Sequence, residues 1–366
     1  MQSIERPYLL LTPGPLTTSD RVKQAMMADW CTWDKDYNVN IVENIRTCLL
    51  QLAGVSDTEY TSVLLQGSGT YCVEAALSCS LHPDNKLLIV ANGTYGERMK
   101  IIADYHKINH CLVSLAETEQ VTPATVAAYL ESDPAITHVA VVHCETTTGI
   151  LNPIAEIATV VKQAGKTLIV DAMSSFGGIP IDVAGMGIDV LISSANKCIQ
   201  GVPGFGFVIL RRAVLECCQG NGKSLSLDLY DQWREMEKGG GKWRFTSPTH
   251  VVRAFAEALQ ELEEEGGIQA RYQRYCENPR TLVDGMRSLG YETLLTDEQQ
   301  SPIITSFLYP NDAFSFNHFY DALKARGFVI YPGKISKHDT FRIGNIGDVH
   351  PADLCRLIEE IKHIDL

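Results

Sequence analysis

The sequence predicts an α/β protein, in which a mostly parallel β-sheet is covered by helices and followed by a smaller α+β unit. Six short apolar runs rich in β-branched residues recur between about residues 60 and 210, and helix-like stretches separate them. Continuous apolar runs of this kind are typical of strands buried on both faces of a sheet. The candidate strands lie at 62–66, 86–90, 138–142, 167–170, 190–192 and 206–210.

Helices are predicted between these strands and after them. A helix at 71–77 follows the first strand, and one at 155–164 ends at Gly165, a residue type that often terminates helices. A long amphipathic helix at 248–265 ends at two glycines and makes a natural bridge between domains. Beyond it the pattern predicts a smaller α+β unit, with helices at 268–288, 315–326 and 351–362 and strands at 303–308 and 328–331.

The length and composition are those of a globular protein with two packed domains. The chain has 366 residues, of which 45% are hydrophobic and 20% charged. We expect an N-terminal arm at 1–17, a large domain at 18–256 and a small C-terminal domain at 257–366.

Charge and targeting features argue against several classes of function. The chain carries 31 Lys and Arg against 44 Asp and Glu, a net charge of −13, and no basic stripe, so we expect no nucleic-acid partner. The N-terminus lacks a signal-peptide pattern, and no segment approaches the roughly 20 apolar residues of a membrane helix. We therefore expect a cytoplasmic protein with reduced thiols in its core, since none of the 11 cysteines forms a CxxC pair and several lie in apolar or helical contexts, namely Cys72, Cys79, Cys144 and Cys355.

Two charged residues lie shortly after predicted strands. Asp171 comes after the strand at 167–170, and a carboxylate at that end of a parallel strand points into the crevice where α/β folds bind ligands. Lys197 lies just past the strand at 190–192 and before a glycine- and proline-rich turn. An amine whose pKa is lowered by burial can form an imine with an aldehyde. Taken singly, the acid is equally well a helix cap or a loop acid, and most lysines are solvated surface charges.

A glycine turn completes the set of residues needed for one cofactor. Gly67-Ser68-Gly69-Thr70 joins the first strand to its helix, where backbone N–H groups form an anion site, although a plain tight turn is the alternative. A lysine, a carboxylate and a phosphate cradle in one sheet match the needs of pyridoxal 5'-phosphate. The acid keeps the pyridine nitrogen protonated, and the lysine acts as general base and acid. No metal site is predicted.

Seven motifs in order resemble the class V aminotransferases, the fold type I pyridoxal-phosphate enzymes of the alanine–glyoxylate and serine–pyruvate branch. The likeness covers nearly the whole chain, and the ordered set is specific although no single motif is. It implies a large domain with a mostly parallel seven-stranded sheet and a smaller α+β C-terminal domain. The motifs are Thr12-Pro13-Gly14-Pro15, Gly67-Ser68-Gly69-Thr70, Ala91-Asn92-Gly93-Thr94-Tyr95-Gly96, His143-Cys144-Glu145-Thr146-Thr147-Thr148-Gly149, Val170-Asp171-Ala172, Asn196-Lys197 and Phe341-Arg342-Ile343-Gly344.

The resemblance assigns cofactor roles at the matching positions. Tyr95 would stack on the pyridine ring, and Asp171 would bind its nitrogen. Lys197 would hold the cofactor as an imine. Thr146 would face the phenolic oxygen, with Thr148 as a second candidate. The residues implied for the phosphate are Ser68, Gly69, Thr70 and Asn196.

The resemblance also implies a partner subunit and a substrate anchor. Thr246 matches the residue that reaches the phosphate of the partner subunit, which implies a homodimer with its active site at the interface. The segment 244–248 departs from the usual family wording, so Ser247 is the alternative. Arg342 matches the arginine that binds the acid group of the substrate, and its fork of donors suits a carboxylate or a phosphonate.

One branch of the family resembles the N-terminal region in particular. The segments 9–18 and 29–37, the second with Trp30 and Trp33, are similar to enzymes that transfer the amino group of 2-aminoethylphosphonate to pyruvate. This resemblance implies a ping-pong reaction that yields phosphonoacetaldehyde and L-alanine, as in phosphonate degradation. Arg342 would receive the phosphonate in one half-reaction and the carboxylate in the other. A serine–pyruvate or alanine–glyoxylate aminotransferase is the alternative.

Three other interpretations are weaker. A cysteine desulfurase needs a nucleophilic cysteine ahead of the substrate arginine, and no cysteine lies between Cys276 and Cys355. An NAD-dependent oxidoreductase would need a GxGxxG turn, and the turn at 67–72 lacks its third glycine. A ligand-binding protein without catalysis would have no use for a lysine in the position of Lys197.

Overall fold

A computed structural model describes residues 7–333, 335 and 338–364 of the chain. Its strands are β1 Leu9–Leu10, β2 Tyr60–Gly67, β3 Leu87–Ala91, β4 His110–Ser114, β5 His138–Val142, β6 Cys144–Glu145, β7 Ile150–Leu151, β8 Thr167–Asp171, β9 Val190–Ser194, β10 Gly204–Arg211, β11 Ile304–Leu308, β12 Phe328–Val329, β13 Tyr331–Pro332 and β14 Thr340–Gly344.

Helices cover both faces of the main sheet and fill the connections. A 3-10 helix at Ala25–Met27 and a π-helix at Asn38–Glu43 add to the α-helices. The α-helices are α1 Asp20–Gln24, α2 Lys35–Tyr37, α3 Asn44–Leu52, α4 Gly69–Ser80, α5 Thr94–Tyr105, α6 Pro123–Ser132, α7 Ile154–Gln163, α8 Val183–Met186, α9 Arg212–Cys217, α10 Leu229–Gly239, α11 Thr249–Glu265, α12 Gly267–Ser288, α13 Phe316–Ala325 and α14 Pro351–Lys362.

The main sheet has seven strands in the order β2-β10-β9-β8-β5-β3-β4, which confirms the predicted architecture. β10 runs antiparallel to both of its neighbours, and the four remaining pairings are parallel. The register places Asp171 between Val142 of β5 and Ile192 of β9. Because the other six strands point the same way, their carboxyl ends share one edge of the sheet.

The core lies on both faces of this sheet, as the continuous apolar runs predict. In β5, Val139 and Val141 join one buried cluster, whereas Ala140 and Val142 join the cluster on the opposite face. The alternation follows from the two-residue side-chain period of a strand. Both faces are apolar because helices pack against each.

A smaller antiparallel sheet, β11-β14-β13, forms with the helices of the C-terminal part. Its core contains the aromatic rings of Phe307, Phe314, Phe319 and Phe341. β1 pairs in parallel with β12, so the described part of the predicted arm joins this C-terminal unit. Residues 1–6 of that arm lie outside the described residues. The domain boundaries stay predictions, and the one at 256/257 falls within α11.

Five strands were not predicted from the sequence, namely the two-residue β1, β6 and β7 and the longer β4 and β14, and one cysteine also differs from the expectation. β4 was not among the predicted strands, because it is an edge strand in which only Val113 is buried. β14 was not among them either, because Arg342 interrupts its apolar run. Cys355 is exposed on α14 and not in the core, whereas Cys72, Cys79 and Cys144 are buried as expected. Among the described residues, no helix has both the length and the apolar character to cross a bilayer.

Candidate active site

A cavity of about 460 Å³ opens at the edge of the main sheet where the parallel strands end. This volume lies in the range of small-molecule sites. The lining residues come from the ends of β2, β8 and β9, from the first turns of α4 and α5, and from the N-terminal segment. The predicted site residues among them are Ser68, Gly69, Thr70, Tyr95, Asp171, Asn196 and Lys197.

Lys197 lies three residues past β9, and its chain is closely packed by the N-terminal segment. Its Nζ donates to the carbonyl oxygen of Pro13 at 3.0 Å. Gly14 has φ of +123°, and a Cβ there would lie 2.8 Å from Cδ of Lys197. A side chain at residue 14 would therefore displace the lysine. The motif at 12–15 served only as a family marker in the sequence, and its contact with Lys197 was not predicted.

Asp171 is the last residue of β8 and is 4% exposed. Its Oδ1 accepts the backbone N–H of Met173 at 2.9 Å. Burial raises the pKa of the carboxyl to about 6, although the Met173 N–H and the charges of Lys197 and Arg98 act to lower it. A cation bound next to this carboxylate would lower the pKa from its raised value and so favour the ionised form. The site is thus suited to a protonated ring nitrogen.

The glycine turn forms the predicted anion cradle. Ser68 is the N-cap of α4, a helix of twelve residues, and its side chain makes no capping hydrogen bond. The first N–H groups of a helix have no intrahelical acceptor and carry partial positive charge. Gly69 packs against the Met173 side chain so closely that a Cβ would overlap its sulfur. A glycine at residue 69 therefore lets the start of α4 pack against Met173.

Tyr95 is held at the start of α5 by Glu145, a residue whose role was missed. Glu145 is fully buried, and its Oε2 accepts the Tyr95 backbone N–H at 3.0 Å. Its Oε1 accepts the Thr147 hydroxyl at 2.6 Å. Burial raises the pKa of Glu145, against these hydrogen bonds. The carboxylate thus anchors the helix that carries the predicted ring platform. The sequence signal for this role was a single acidic residue in a motif that contains no other acid and no lysine or arginine.

The two threonines predicted for the phenolic oxygen differ. The Thr146 hydroxyl is buried and has no hydrogen-bond partner among the described residues. The Thr148 hydroxyl instead accepts the Ile150 N–H at 3.3 Å within the turn that joins β6 and β7. Neither threonine is among the cavity-lining residues. An unsatisfied buried hydroxyl is costly, so Thr146 is the stronger candidate.

Arg342 lies on β14, outside the set of cavity-lining residues, but it is bonded to the site. It is 2% exposed, and its Nη1 donates to the Thr146 carbonyl oxygen at 2.7 Å. Its Nε donates to the Pro332 carbonyl oxygen at 3.0 Å. Burial lowers its pKa, while Tyr95, Tyr331 and Glu145 act to raise it.

Arg98 is a second arginine of the site, and it was not among the predicted site residues. It lines the cavity, and its guanidinium lies 5.0 Å from the Tyr95 ring centre. Its Nη1 donates to the Thr70 hydroxyl at 3.3 Å. The spacing of three residues from Tyr95 on one helix was the available signal.

The remaining predicted residues lie on two sides of the site. Asn196 lines the cavity, and its Oδ1 accepts the Ser194 hydroxyl at 3.2 Å. Thr246 is exposed and borders a neighbouring pocket instead. Ser247 is buried, and its hydroxyl is bonded to that of Tyr37 at 2.7 Å. Of the two, Thr246 is thus the one whose side chain faces outward.

The described residues fit pyridoxal phosphate. The N-terminus of α4 offers a phosphate cradle, and Asp171 offers a buried carboxylate for the ring nitrogen. Lys197 offers an amine in the same cavity. The unsatisfied hydroxyl of Thr146 offers a donor for the phenolic oxygen.

Several known proteins with similar sequences are 2-aminoethylphosphonate–pyruvate transaminases. The 2-aminoethylphosphonate–pyruvate transaminase of Phocaeicola vulgatus is 67% identical over 359 residues, which cover 98% of this chain and 99% of the relative. The protein of the same name from Syntrophobacter fumaroxidans is 62% identical over 359 residues, with 98% and 96% covered.

Solved structures share the fold. A pyridoxamine–pyruvate aminotransferase from Mesorhizobium loti superposes with a TM-score of 0.90 at 23% identity and covers 98% of this chain and 92% of that one. An alanine–glyoxylate aminotransferase from Nostoc sp. gives 0.88 at 22% identity, with 99% and 97% covered. The family model described as aminotransferase class-V matches residues 35–343. The chain therefore belongs to the class V aminotransferases, and it is a transaminase with pyridoxal phosphate as its cofactor.

Proposed function

We propose that this enzyme transfers the amino group of 2-aminoethylphosphonate to pyruvate and so forms phosphonoacetaldehyde and L-alanine in phosphonate degradation. A relative that carries this name is 67% identical along almost the whole chain. The structural observation that supports a strongly anionic substrate is Arg342. The alanine–glyoxylate alternative has a similar solved structure at 22% identity, which shows the fold alone.

Arg342 has the properties of an anion anchor. It is 2% exposed, yet the described residues place no carboxylate within 4.0 Å of it, and its recorded acceptors are the neutral carbonyls of Pro332 and Thr146. A buried charge is costly unless an opposite charge compensates it. A phosphonate or carboxylate would supply that charge through two parallel hydrogen bonds.

The residues of the site divide the work of amino transfer. When bound, pyridoxal phosphate supplies an electron sink that stabilises negative charge on the carbon next to the transferred nitrogen. Lys197 removes a proton from that carbon in one half-reaction and returns one in the other, as general base and acid. Asp171 keeps the ring nitrogen protonated, and Tyr95 forms one wall for the ring. Arg342 orients the substrate by its acid group.

The proposed assembly is a homodimer in the cytoplasm. Thr246 is exposed beside Phe245, whose side chain is 50% exposed, and Tyr71 nearby is also 50% exposed. An outward-facing hydroxyl among exposed aromatic rings suits a contact with the phosphate and surface of a partner subunit. The cysteines of the described residues carry free thiols, which suits a reducing compartment. The division into an arm and two domains is retained as part of this proposal.

The test is the visible absorbance of the purified enzyme with a single substrate at a time. 2-Aminoethylphosphonate without a keto acid should remove the band of the lysine-bound cofactor, and pyruvate should restore it. β-Alanine, which replaces the phosphonate by a carboxylate at the same chain length, is the matched control and should react far more slowly. A band that responds only to alanine or serine would transfer the function to the alternative.

A further inference from the structure

The turn that follows Lys197 contains an unusual backbone conformation. Gln200 has φ of +69°, and the only other non-glycine residue with positive φ among those described is Lys107. Its N–H donates to the Lys197 carbonyl oxygen at 2.7 Å, so the strained residue closes the turn that begins at the lysine. A left-handed conformation costs a non-glycine residue about 1–2 kcal/mol and persists only where the surroundings impose it.

Hydrogen bonds hold the buried side chain of Gln200 in place. It is 4% exposed, and its Nε2 donates to the Tyr275 hydroxyl at 2.7 Å and to the Gly347 carbonyl oxygen at 2.9 Å. The Tyr275 hydroxyl also accepts the Gly347 N–H at 3.3 Å and donates to the Cys198 carbonyl oxygen at 3.4 Å. The Gln200 amide thus donates both of its protons. The Tyr275 hydroxyl donates its proton and accepts two hydrogen bonds, so neither group has unused capacity to donate.

These bonds join the lysine turn to the strand that carries the substrate arginine. Gly347 follows β14 by three residues, and β14 contains Arg342. The Gly344 N–H at the end of β14 donates to the Leu11 carbonyl oxygen at 2.8 Å, in the same segment whose Pro13 accepts Nζ of Lys197. Lys197 and Arg342 are therefore tied through two short routes, one of them through Gln200.

We propose that Gln200 and Tyr275 are positioning residues, which fix the backbone of Lys197 relative to the strand of Arg342. Neither side chain is among those that line the cavity. The inference rests on the proposed roles of Lys197 and Arg342. It follows from the need to hold a proton-transferring amine and a substrate anchor in one geometry, because a displacement of about 1 Å can cost roughly a hundredfold in rate.

The test compares two tyrosines from which the same atom is removed. Tyr275→Phe removes the hydroxyl that holds Gln200, and Gln200→Gly removes the side chain while tolerating the left-handed backbone. Tyr60→Phe is the matched control. Tyr60 is also fully buried and donates to a backbone carbonyl, that of Ile188 at 3.0 Å, but it lies at the opposite edge of the main sheet.

Three quantities are measured in each variant. They are the single-turnover rate with 2-aminoethylphosphonate per site that holds cofactor, the pH midpoint at which the lysine-bound cofactor ionises, and amide hydrogen exchange at 197–201 in the cofactor-free chain. We expect Gln200→Gly to lower the rate roughly tenfold or more, to move the midpoint and to speed exchange. Tyr275→Phe should act in the same direction, and Tyr60→Phe should change none of the three.

Rates within twofold of the unaltered enzyme, with an unchanged midpoint in both Gln200→Gly and Tyr275→Phe, would overturn the inference. If Gln200→Gly does not fold, Tyr275→Phe decides alone, because it leaves the backbone of the turn intact. If the unaltered enzyme does not react with 2-aminoethylphosphonate, the proposed function fails. The titration and the exchange need no substrate and still decide the positioning role.

Discussion

Two arginines of this protein are equally buried and differ in what surrounds them. Arg271 and Arg342 are each 2% exposed. Nε of Arg271, on α12, donates to Glu265 at 2.6 Å, and its Nη1 donates to the Cys198 carbonyl oxygen at 2.9 Å. Although burial raises the pKa of Glu265, the hydrogen bond from Arg274 and the charges of both arginines leave that pKa below its usual range. The Arg271 region is thus internally compensated.

The Arg342 region lacks this compensation within the described residues. Its acceptors are carbonyl oxygens, and the nearby carboxylate of Glu145 is already committed to Thr147 and the backbone of Tyr95. Equal burial therefore does not imply an equal role. A buried arginine with its own carboxylate holds the fold together, whereas one without such a partner is suited to bind an anionic ligand.

The contrast predicts the largest effect for Arg342→Ala. The substitution removes the proposed bidentate partner of the substrate anion and should lower kcat/KM for 2-aminoethylphosphonate roughly a thousandfold, about 4 kcal/mol. The free energy of unfolding of the cofactor-free chain should stay unchanged or rise, because an uncompensated buried cation is lost. Steady-state kinetics and denaturant unfolding measure the two effects. Retained kinetics together with lost stability would make Arg342 a structural residue like Arg271.

Arg271→Ala should show the opposite pattern. It leaves Glu265 with Arg274 as its remaining partner and should lower the free energy of unfolding by about 3 kcal/mol. We place the effect at the low end of the range for buried pairs, because the Glu265 side chain is 23% exposed. The KM for 2-aminoethylphosphonate should stay near that of the unaltered enzyme. An Arg271→Ala chain with full stability and a raised KM would contradict the comparison.

Asp171 extends the contrast to an acid. Its carboxylate accepts the Met173 N–H, and burial raises its pKa to about 6 although the charges of Lys197 and Arg98 act to lower it. Because the folded pKa lies above the unfolded one, the associated stability is present below about pH 4 and is lost as pH rises through about 6. The cofactor-free Asp171→Asn chain should therefore be more stable than its parent at pH 8, by at most about 3 kcal/mol.

Denaturant unfolding of both cofactor-free chains at pH 4, 6 and 8 measures this effect. The advantage of the asparagine variant should shrink towards pH 4, where the parent carboxyl is protonated. The same variant should bind pyridoxal phosphate more weakly, because it cannot hold a protonated ring nitrogen. Parallel pH profiles of the two chains would show that the Asp171 carboxylate is already compensated without cofactor.

How far the sequence predicted this molecule depends on whether a feature is local. The main strands follow from continuous apolar runs, and Asp171 and Lys197 follow from a rule about the carboxyl ends of such strands. The cradle at 67–70 follows from a glycine turn between a strand and a helix. β4 was missed because an edge strand has no need of a continuous apolar pattern.

The features that were missed depend on contacts between distant parts of the chain. Lys197 and Pro13 are 184 residues apart, and no pattern in either segment predicts their contact. Glu145 is the single acid of the motif at 143–149, and only the packing of β6 beside α5 shows that it anchors Tyr95. Arg342 was identified through a family motif, but its lack of a carboxylate partner required the packing of β13 and β14 around it.

The smallest effect concerns two threonines of one turn, in which the contrast between compensated and uncompensated groups recurs. The Thr146 hydroxyl is buried without a partner among the described residues, whereas the Thr148 hydroxyl accepts the Ile150 N–H. Thr146→Val, which keeps the shape of the side chain, should leave the cofactor-free chain as stable or more stable and weaken pyridoxal phosphate binding by about 1 kcal/mol, roughly fivefold. Thr148→Val should instead cost about 1 kcal/mol of stability, because it removes the hydrogen bond between its hydroxyl and the Ile150 N–H, with cofactor affinity unchanged. Cofactor titration and denaturant unfolding of both variants separate the two outcomes. A hydroxyl that is already hydrogen-bonded within the protein should contribute less to cofactor binding than one without a partner. A loss of cofactor affinity in Thr148→Val alone would therefore contradict this assignment and exchange the roles of the two residues.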